Sequence, residues 1–324
     1  MTISRRDVTK GLSVAAGAAL IAKPAIAQSY PSGDVHFVCG FAAGSGADVI
    51  VRWYTEKLRP LMGKNIIVEN RPGALSNIGT QYVMRAKPDG HTILVNGGNS
   101  VAANMSLLSN PGPNPVEALQ MVGTLNRSTM MIGVRADSPI KTIQELTAAM
   151  KEKGDKASYA YANPASRVIG ALYRERAGLA AVEVPYKTGA EFLNDLYSGN
   201  IDYAVPDNIL GLAQLRAGRM RLLAVGSGTR LEAASDIPTL TESGYAMDVR
   251  SWWCMLVPKA TPRPIVDQLN TWINQIASTP EAKEFCNSIA ADPWVTKPEE
   301  GQAYLAQQIK DWAEFAKIAK IEPQ

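Results

Sequence analysis

The stretch CGFAAGSGADVIVRWYTEKLRPLMGKNIIVENRPGALSNIG, residues 39–79, holds an apolar strand end, a turn of glycines and small residues, and a helix that follows at once. The helix is predicted by apolar residues that recur on one side of it, namely Val49, Trp53, Leu58 and Met62. The turn contains no Lys, His or Cys. It therefore presents unpaired backbone N–H groups, which bind anions at the starts of helices.

Strands and helices alternate along the rest of the chain. Strands are predicted at 35–41, 65–70, 91–98, 130–136, 157–162, 181–186, 201–205, 221–226 and 249–258. Helices are predicted at 48–62, 76–86, 142–154, 166–178, 191–199, 209–218, 262–278 and 298–320. Apolar strands separated by helices indicate an α/β fold with mostly parallel sheets covered on both faces.

Two such strand-and-helix units followed by a helical tail predict two lobes. The segments 126–134 and 250–258 are the expected outgoing and returning crossings between them. We expect one lobe to comprise residues 28–126 and 252–324, and the other residues 127–251.

The N-terminus has the features of a cleaved export signal. A basic start, an apolar run GLSVAAGAALIA too short to span a bilayer, and the small-x-small sequence AIA before Gln28 predict cleavage after residue 27. The Ser4-Arg5-Arg6 sequence resembles the twin-arginine type, and an uncleaved anchor is the alternative. The segment carries four of the 33 basic and one of the 30 acidic residues, which leaves a mature chain with 29 of each. That neutral chain shows no electrostatic footprint for nucleic acid or for an anionic membrane.

The residue types needed for catalysis or metal binding are scarce. The two histidines have no partner at ligand spacing, and the three cysteines lack the spacing of a zinc site. A single disulfide between two of the cysteines is an open alternative. The first glycine turn lacks the G-x-G-x-x-G spacing and a Walker lysine. We therefore expect no metal, no cofactor and no catalytic residues.

Three turns are candidates for a ligand site, because ligands of open parallel sheets bind beyond the carboxyl ends of the strands. They are residues 40–48 (GFAAGSGAD), 96–100 (NGGNS) and 161–167 (YANPASR). A helix end contributes about 0.3–1 kcal/mol, whereas micromolar binding needs about 8 kcal/mol. Several hydrogen bonds to an acid group would have to supply the difference. The alternative is that the glycines only form tight turns.

The mature chain resembles the substrate-binding receptors of tripartite tricarboxylate transporters, the Bug-type extracytoplasmic solute receptors. Several matching pieces occur in order, which makes the resemblance specific: YPSGDVHFVCGFAAGSGAD, VENRPGALSNIG, PDGHTIL, VPYKTGAEFLNDLYSGNID, DNILGLAQLRAGRMRLLAVGSGTR, DIPTLTESG and SWWCMLVPKATPRPIVDQLN. The resemblance implies a type II periplasmic-binding fold, in which two α/β lobes joined by crossing strands close on a small ligand. It also implies a carboxylate ligand held largely by backbone amides.

Carried over by position, the resemblance places ligand contacts in the first loop, Phe41 to Asp48, and in the helix-start loop of the second lobe. The residues implied or selected for the site are Phe41, Ala43, Gly44, Ser45, Gly46, Asp48, Gly97, Asn99, Asn163, Ser166, Arg167 and Asp207. Asp48 is better suited to cap the first helix, because a free carboxylate would repel an anionic ligand. Arg167 stands where the family has a histidine, and it either turns inward to pair with a ligand carboxylate or lies outward on the helix. Asp207 matches an acidic residue of the family and would accept from a ligand amine, a hydroxyl or a bound water.

These inferences predict a periplasmic, monomeric receptor, not an enzyme, that passes a small carboxylate to the membrane components of a tripartite tricarboxylate-type transporter. Three alternatives stay open: a periplasmic enzyme acting on a small organic acid, a ligand sensor that feeds a signalling partner, and a structural or interaction module.

Overall fold

The computed structural model describes residues 30–323, and the predicted export signal at residues 1–27 lies outside them. Residues 33–324 form one compact unit. Its strands are β1 (Val35–Cys39), β2 (Ile66–Asn70), β3 (Thr92–Gly97), β4 (Leu119–Ser128), β5 (Met131–Arg135), β6 (Ser158–Tyr161), β7 (Val182–Pro185), β8 (Tyr203–Ala204), β9 (Met220–Val225), β10 (Ser251–Pro258) and β11 (Asp292–Pro293).

The helices follow the strands in the predicted alternation, with three additions. They are α1 (Gly46–Met62), α2 (Asn77–Met84), α3 (Gly98–Leu107), α4 (Pro115–Ala118), α5 (Ile143–Lys153), α6 (Pro164–Ala177), α7 (Gly189–Ser198), α8 (Asn208–Arg216), α9 (Arg263–Ala277), α10 (Pro280–Ser288) and α11 (Pro298–Ile318). The sequence patterns did not individually predict α3, α4 or α10. Within the described residues, no helix is long and apolar enough to cross a membrane.

The strands form two sheets. The first has six strands in the order β11-β4-β10-β3-β1-β2, and the second has five in the order β7-β6-β8-β5-β9. In the first sheet β1 is parallel to β2 and β3, whereas β10 is antiparallel to β3 and β4. In the second sheet β6 is parallel to β7 and β8, whereas β5 is antiparallel to β8 and β9. The two-lobed α/β fold is confirmed, but the sheets are mixed rather than mostly parallel, because the strands next to the crossings run against their neighbours.

The chain crosses between the sheets twice. It leaves the first sheet at Ser128 and enters the second at Met131. It leaves the second at Val225 and rejoins the first at Ser251. The first crossing continues a ten-residue strand, β4, that the sequence patterns did not reveal. The exact lobe boundaries, 28–126 with 252–324 and 127–251, stay a prediction.

Helix α1 begins and ends where its sequence dictates. Ser45 is its N-cap, and the Ser45 hydroxyl accepts a hydrogen bond from the amide of Asp48. Gly63 ends the helix in the left-handed conformation, at φ 59°, where a residue without Cβ is favoured. This start places the glycine turn beyond the carboxyl end of β1.

The three cysteines are buried and free, so none of them forms a disulfide. Burial raises the pKa of Cys39 to about 11 and that of Cys286 to about 12, and it raises the pKa of Cys254 further. Between residues 30 and 323 no group of three or more His, Cys, Asp or Glu side chains is arranged to hold a metal ion.

Candidate ligand-binding site between the sheets

The first loop is held in shape by its own side chains. The Ser45 hydroxyl donates to the carbonyl of Ala42 at 2.7 Å, and the amide of Ser45 donates to the same carbonyl at 3.2 Å. The amide of Gly44 donates to the Asp48 carboxylate at 2.9 Å, and Gly44 has a φ of +77°. Two of the four predicted amides are therefore used within the loop.

The other two amides are open. In the part of the chain that the structure describes, the N–H groups of Ala43 and Gly46 donate to no protein acceptor. The Gly46 amide belongs to the first turn of α1, where the helix leaves its N–H groups unpaired. The loop thus retains two donors at a positive helix end.

The carboxylate of Asp48 fixes the conformation of the first loop through hydrogen bonds. Asp48 is 4% exposed, and its two side-chain oxygens accept from the Gly44 amide, from Arg52 Nε at 2.8 Å and from Asn70 Nδ2 at 2.9 Å. Burial alone would raise the pKa of Asp48, but the hydrogen bonds from Arg52, Gly44 and Asn70 together lower it. Asp48 is therefore an ionised structural group in the first turn of α1, and the cap of this helix is Ser45, not Asp48.

The turn after β3 carries Gly97 and Asn99. Gly97 is the N-cap of α3, and its amide donates to Asn96 Oδ1 at 2.9 Å. Asn99 is 6% exposed, and its Oδ1 accepts from the hydroxyl of Ser251 at 3.2 Å. This bond joins the turn to the start of the returning strand β10.

In the second lobe, Asn163 and Ser166 begin helix α6. The Asn163 side chain caps the helix by accepting from the amide of Ser166 at 2.9 Å. Ser166 is fully buried, and its hydroxyl has no hydrogen-bond partner among residues 30–323. A buried hydroxyl without a partner costs free energy, so this position calls for an added acceptor or donor.

The side chain of Arg167, the residue after Ser166 on α6, contacts the edge strand of the second sheet. Its Nη2 donates to Glu183 Oε1 at 2.9 Å, and its guanidinium lies 5.8 Å from the ring centre of Tyr161. One quarter of its side chain is exposed. The carboxylate partner of Arg167 in this structure is thus supplied by strand β7 of the protein itself.

Asp207 is the N-cap of α8, and its Oδ1 accepts from the amide of Leu210 at 2.9 Å. Burial raises the pKa of the Asp207 carboxyl, against hydrogen bonds from nearby backbone amides. The next residue, Asn208, accepts from the hydroxyl of Ser128 at 3.2 Å. The start of α8 is therefore tied to the outgoing crossing.

The crossings connect the turns. Ser251 and Ser128 face each other in the register of β10 and β4, so they link Asn99 on one side to Asn208 on the other. The first loop contacts these elements at two points. The Phe41 ring lies 6.1 Å from that of Trp253, and Ile209 Cδ1 lies 2.8 Å from the position that a Cβ on Gly46 would occupy. The starts of α1, α3 and α8 thus converge, whereas Arg167 is not linked to them.

Sequence reasoning missed Ser128, Ser251 and Ile209. Ser128 and Ser251 were within the predicted crossings, and that position was the one available signal of their role.

Two cavities lie away from the starts of α1, α3 and α8. One of about 340 Å³ is behind the crossings, and one of about 500 Å³ is between α4, α9 and α11; neither is lined by the predicted ligand residues.

Two α/β lobes with helix starts that meet along crossing strands define a two-lobed solute-binding protein of the periplasmic-binding class. Residues 50–321 match the family described as the tripartite tricarboxylate transporter family receptor. The chain belongs to this family, whose members are solute-binding receptors and not enzymes.

Individual relatives support the assignment over nearly the whole chain. A UPF0065 protein of Bordetella bronchiseptica is 31% identical over 309 residues, which cover 94% of this chain and 91% of that protein. The periplasmic binding protein BugD is 35% identical with a TM-score of 0.80, over 91% of this chain and 100% of BugD. An R. palustris protein solved with adipate is 26% identical with a TM-score of 0.84, over 91% of this chain and 100% of that one.

Proposed function

We propose that this protein is a periplasmic receptor that binds a small carboxylate between its two lobes and delivers it to a tripartite tricarboxylate-type membrane transporter. The observation that carries the proposal is the pair of open amides at Ala43 and Gly46 at the start of α1, where Gly46 packs against Ile209 of α8. The family membership and the adipate in a relative support the ligand class. The periplasmic assignment rests on BugD and on the export signal expected from the sequence.

The number of available donors fits the affinity required. Micromolar binding needs about 8 kcal/mol, and a hydrogen bond to a charged group contributes about 1.5–3 kcal/mol. About three to five such contacts are needed. We assign these contacts to the amides of Ala43 and Gly46, the Asn99 side-chain amide and the Ser166 hydroxyl, without help from Arg167. Asp207 would then accept from a ligand hydroxyl or from a bound water.

The ligand carboxylate can be bound in one of two ways, by the backbone amides or by Arg167. Because Arg167 pairs with Glu183, it would have to exchange one carboxylate for another to bind the ligand. We therefore assign the ligand carboxylate to the amides and expect Arg167→Ala to change the affinity by less than about twofold, whereas loss of a charged hydrogen bond costs about tenfold or more. Isothermal titration calorimetry with the preferred acid checks this, and a tenfold loss would move the acid group to Arg167.

A ligand screen tests the function itself. The mature protein is heated with mono- and dicarboxylates, among them adipate and aromatic acids, and the neutral diamide of adipic acid serves as control. A ligand at a hundred times its Kd stabilises the native state by about 2.7 kcal/mol, which corresponds to a rise in Tm of several degrees. The proposal fails if no acid raises the Tm, or if the neutral diamide does so equally.

Two further measurements separate the alternatives. Recovery of unchanged acid after long incubation agrees with a receptor, whereas turnover would show an enzyme. Uptake of the labelled acid by cells that contain the membrane components, and only when the receptor is present, is expected for transport. Binding without any effect on uptake would favour a sensor that feeds a signalling partner.

A further inference from the structure

A cavity of about 340 Å³ lies behind the crossings, on the face of the first sheet that α11 covers. Arg127 from β4, Arg250 just before β10, Trp294, Tyr304 and Asp311 are among its lining residues. Its size is that of a site for a small organic molecule. None of the residues assigned to the carboxylate site lines it.

Arg127 is a cation without a partner in this cavity. Its guanidinium forms no ion pair and no hydrogen bond with any residue between 30 and 323, and its Nε is buried without an acceptor. The second arginine differs, because Arg250 Nε is 2.9 Å from Asp248 and Arg250 Nη2 donates to Thr229. Arg127 is half-buried, and its Nε is removed from solvent without an acceptor, so Arg127 is the group in this cavity that an anion would pair with.

Asp311 is the opposite case, a carboxylate that lacks a cation. Among residues 30–323, its two oxygens accept only from the neutral amides of Gln307 and Gln308, at 2.8 and 2.9 Å. Arg127 and Asp311 both face the cavity, yet they are not within ion-pair distance of each other. A space lined by a cation and a carboxylate that do not pair with each other suits a molecule with both charges.

The third feature is an aromatic wall. The rings of Trp294 and Tyr304 lie 4.9 Å apart and nearly perpendicular, and Trp252 packs behind them with its ring centre 5.1 Å from that of Tyr304. Burial raises the pKa of Tyr304, so its hydroxyl stays protonated and remains a donor at neutral pH. Such a wall favours a flat aromatic body in edge-to-face contact.

We propose that this cavity is a second binding site, for an α-amino acid with an aromatic side chain. Arg127 holds the carboxylate, Asp311 holds the ammonium, and the ring packs on Trp294 and Tyr304. The site is separate from the carboxylate site of the first loop and does not depend on the proposed function of that site.

Three compounds that differ by one charge test this proposal. Full-length mature protein is titrated with L-phenylalanine, with 3-phenylpropionate, which lacks the ammonium, and with phenethylamine, which lacks the carboxylate. Binding is followed by calorimetry and by the fluorescence of the buried tryptophans. We expect L-phenylalanine to bind at least tenfold more tightly than either analogue.

Matched variants assign the contacts. Arg127→Gln and Asp311→Asn should each weaken L-phenylalanine binding at least tenfold, and Asp311→Asn should also remove the preference over 3-phenylpropionate. Arg135→Gln and Asp137→Asn remove the same groups from an exposed ion pair elsewhere and should leave binding unchanged. Arg127→Lys keeps the charge and guards against loss of fold, which is checked by circular dichroism.

Three results would overturn the proposal. They are the absence of binding at millimolar L-phenylalanine, equal affinity for 3-phenylpropionate, and an affinity that neither Arg127→Gln nor Asp311→Asn changes. The last would place the amino acid in another site. A variant of the first loop, Gly46→Val, should leave L-phenylalanine binding intact, which keeps this test distinct from that of the carboxylate site.

Discussion

Asp48 and Arg167 show, residue by residue, which roles can be read from sequence. The Asp48 carboxylate accepts from the Gly44 amide, and the Asp48 amide donates to the hydroxyl of the N-cap, Ser45. These contacts span four and three residues, so they follow from local spacing. The partner of Arg167 is Glu183, which reaches it only through the packing of α6 against strands β6 and β7. Local spacing carries no signal of such a contact, and for that reason the direction of Arg167 stayed open in the sequence.

The lowered pKa of Asp48 predicts how stability varies with pH. Because the folded pKa is below the ordinary value of about 3.9, the contribution of Asp48 is complete above that value and is lost as the pH falls through the folded pKa. We expect Asp48→Asn to lower the free energy of unfolding at pH 7 by about 1–3 kcal/mol, and the difference from wild type to shrink as the pH falls below about 4. Urea denaturation at several pH values measures it.

Asp34→Asn is the control, because Asp34 is exposed and lies one residue before β1. This substitution should leave stability nearly unchanged at every pH. A gap between Asp48→Asn and wild type that stays constant down to pH 3 would contradict the ionised, hydrogen-bonded role of Asp48.

At the scale of elements, helix α3 explains why part of the fold could not be predicted. Its sequence, GNSVAANMSL, begins with residues of low helix propensity. Its first seven residues, 98–104, are all buried, so it has no polar face and no amphipathic period. Sequence patterns reveal a helix through the contrast between its faces, as in α1. A helix enclosed on all sides lacks that contrast.

The enclosure of α3 leads to a prediction about its first residue. A Cβ on Gly98 would stand 2.4 Å from three ring atoms of Trp252 on β10. Both groups are inside the packed core, so neither can move freely. We expect Gly98→Ala to lower the free energy of unfolding by about 1–3 kcal/mol, as overpacking does in other cores. Thermal and urea denaturation measure the effect.

Gly33→Ala is a matched control, since no atom lies within 4 Å of the added Cβ and the backbone there is not left-handed. It should be neutral or slightly stabilising. If Gly98→Ala proves as stable as Gly33→Ala, the close packing of α3 on Trp252 is wrong.

For the whole molecule, α10 bridges elements of both sheets. Its Phe285 stacks on Trp53 of α1, with ring centres 4.3 Å apart. Arg216 of α8 donates to the carbonyl of Ser288 at 3.2 Å, and Asn208 donates to the carbonyl of Ile289 just beyond α10. The helix therefore couples the start of α8 to the helix that carries the first loop. Such a link depends on long-range contacts, which the sequence does not display.

Closure of the two lobes should then depend on the contact between Gly46 and Ile209. A valine at position 46 would overlap Ile209 Cδ1, which lies 2.8 Å from the Cβ position. Because ligand binding selects the closed form, we expect Gly46→Val to weaken the preferred carboxylate about tenfold and to reduce the compaction seen by small-angle X-ray scattering on ligand addition. The double variant with Ile209→Ala removes the overlap and should recover most of the affinity. Recovery distinguishes a steric block from damage to the Gly46 amide. A single variant that binds and compacts like wild type would show that the lobes do not close at this contact.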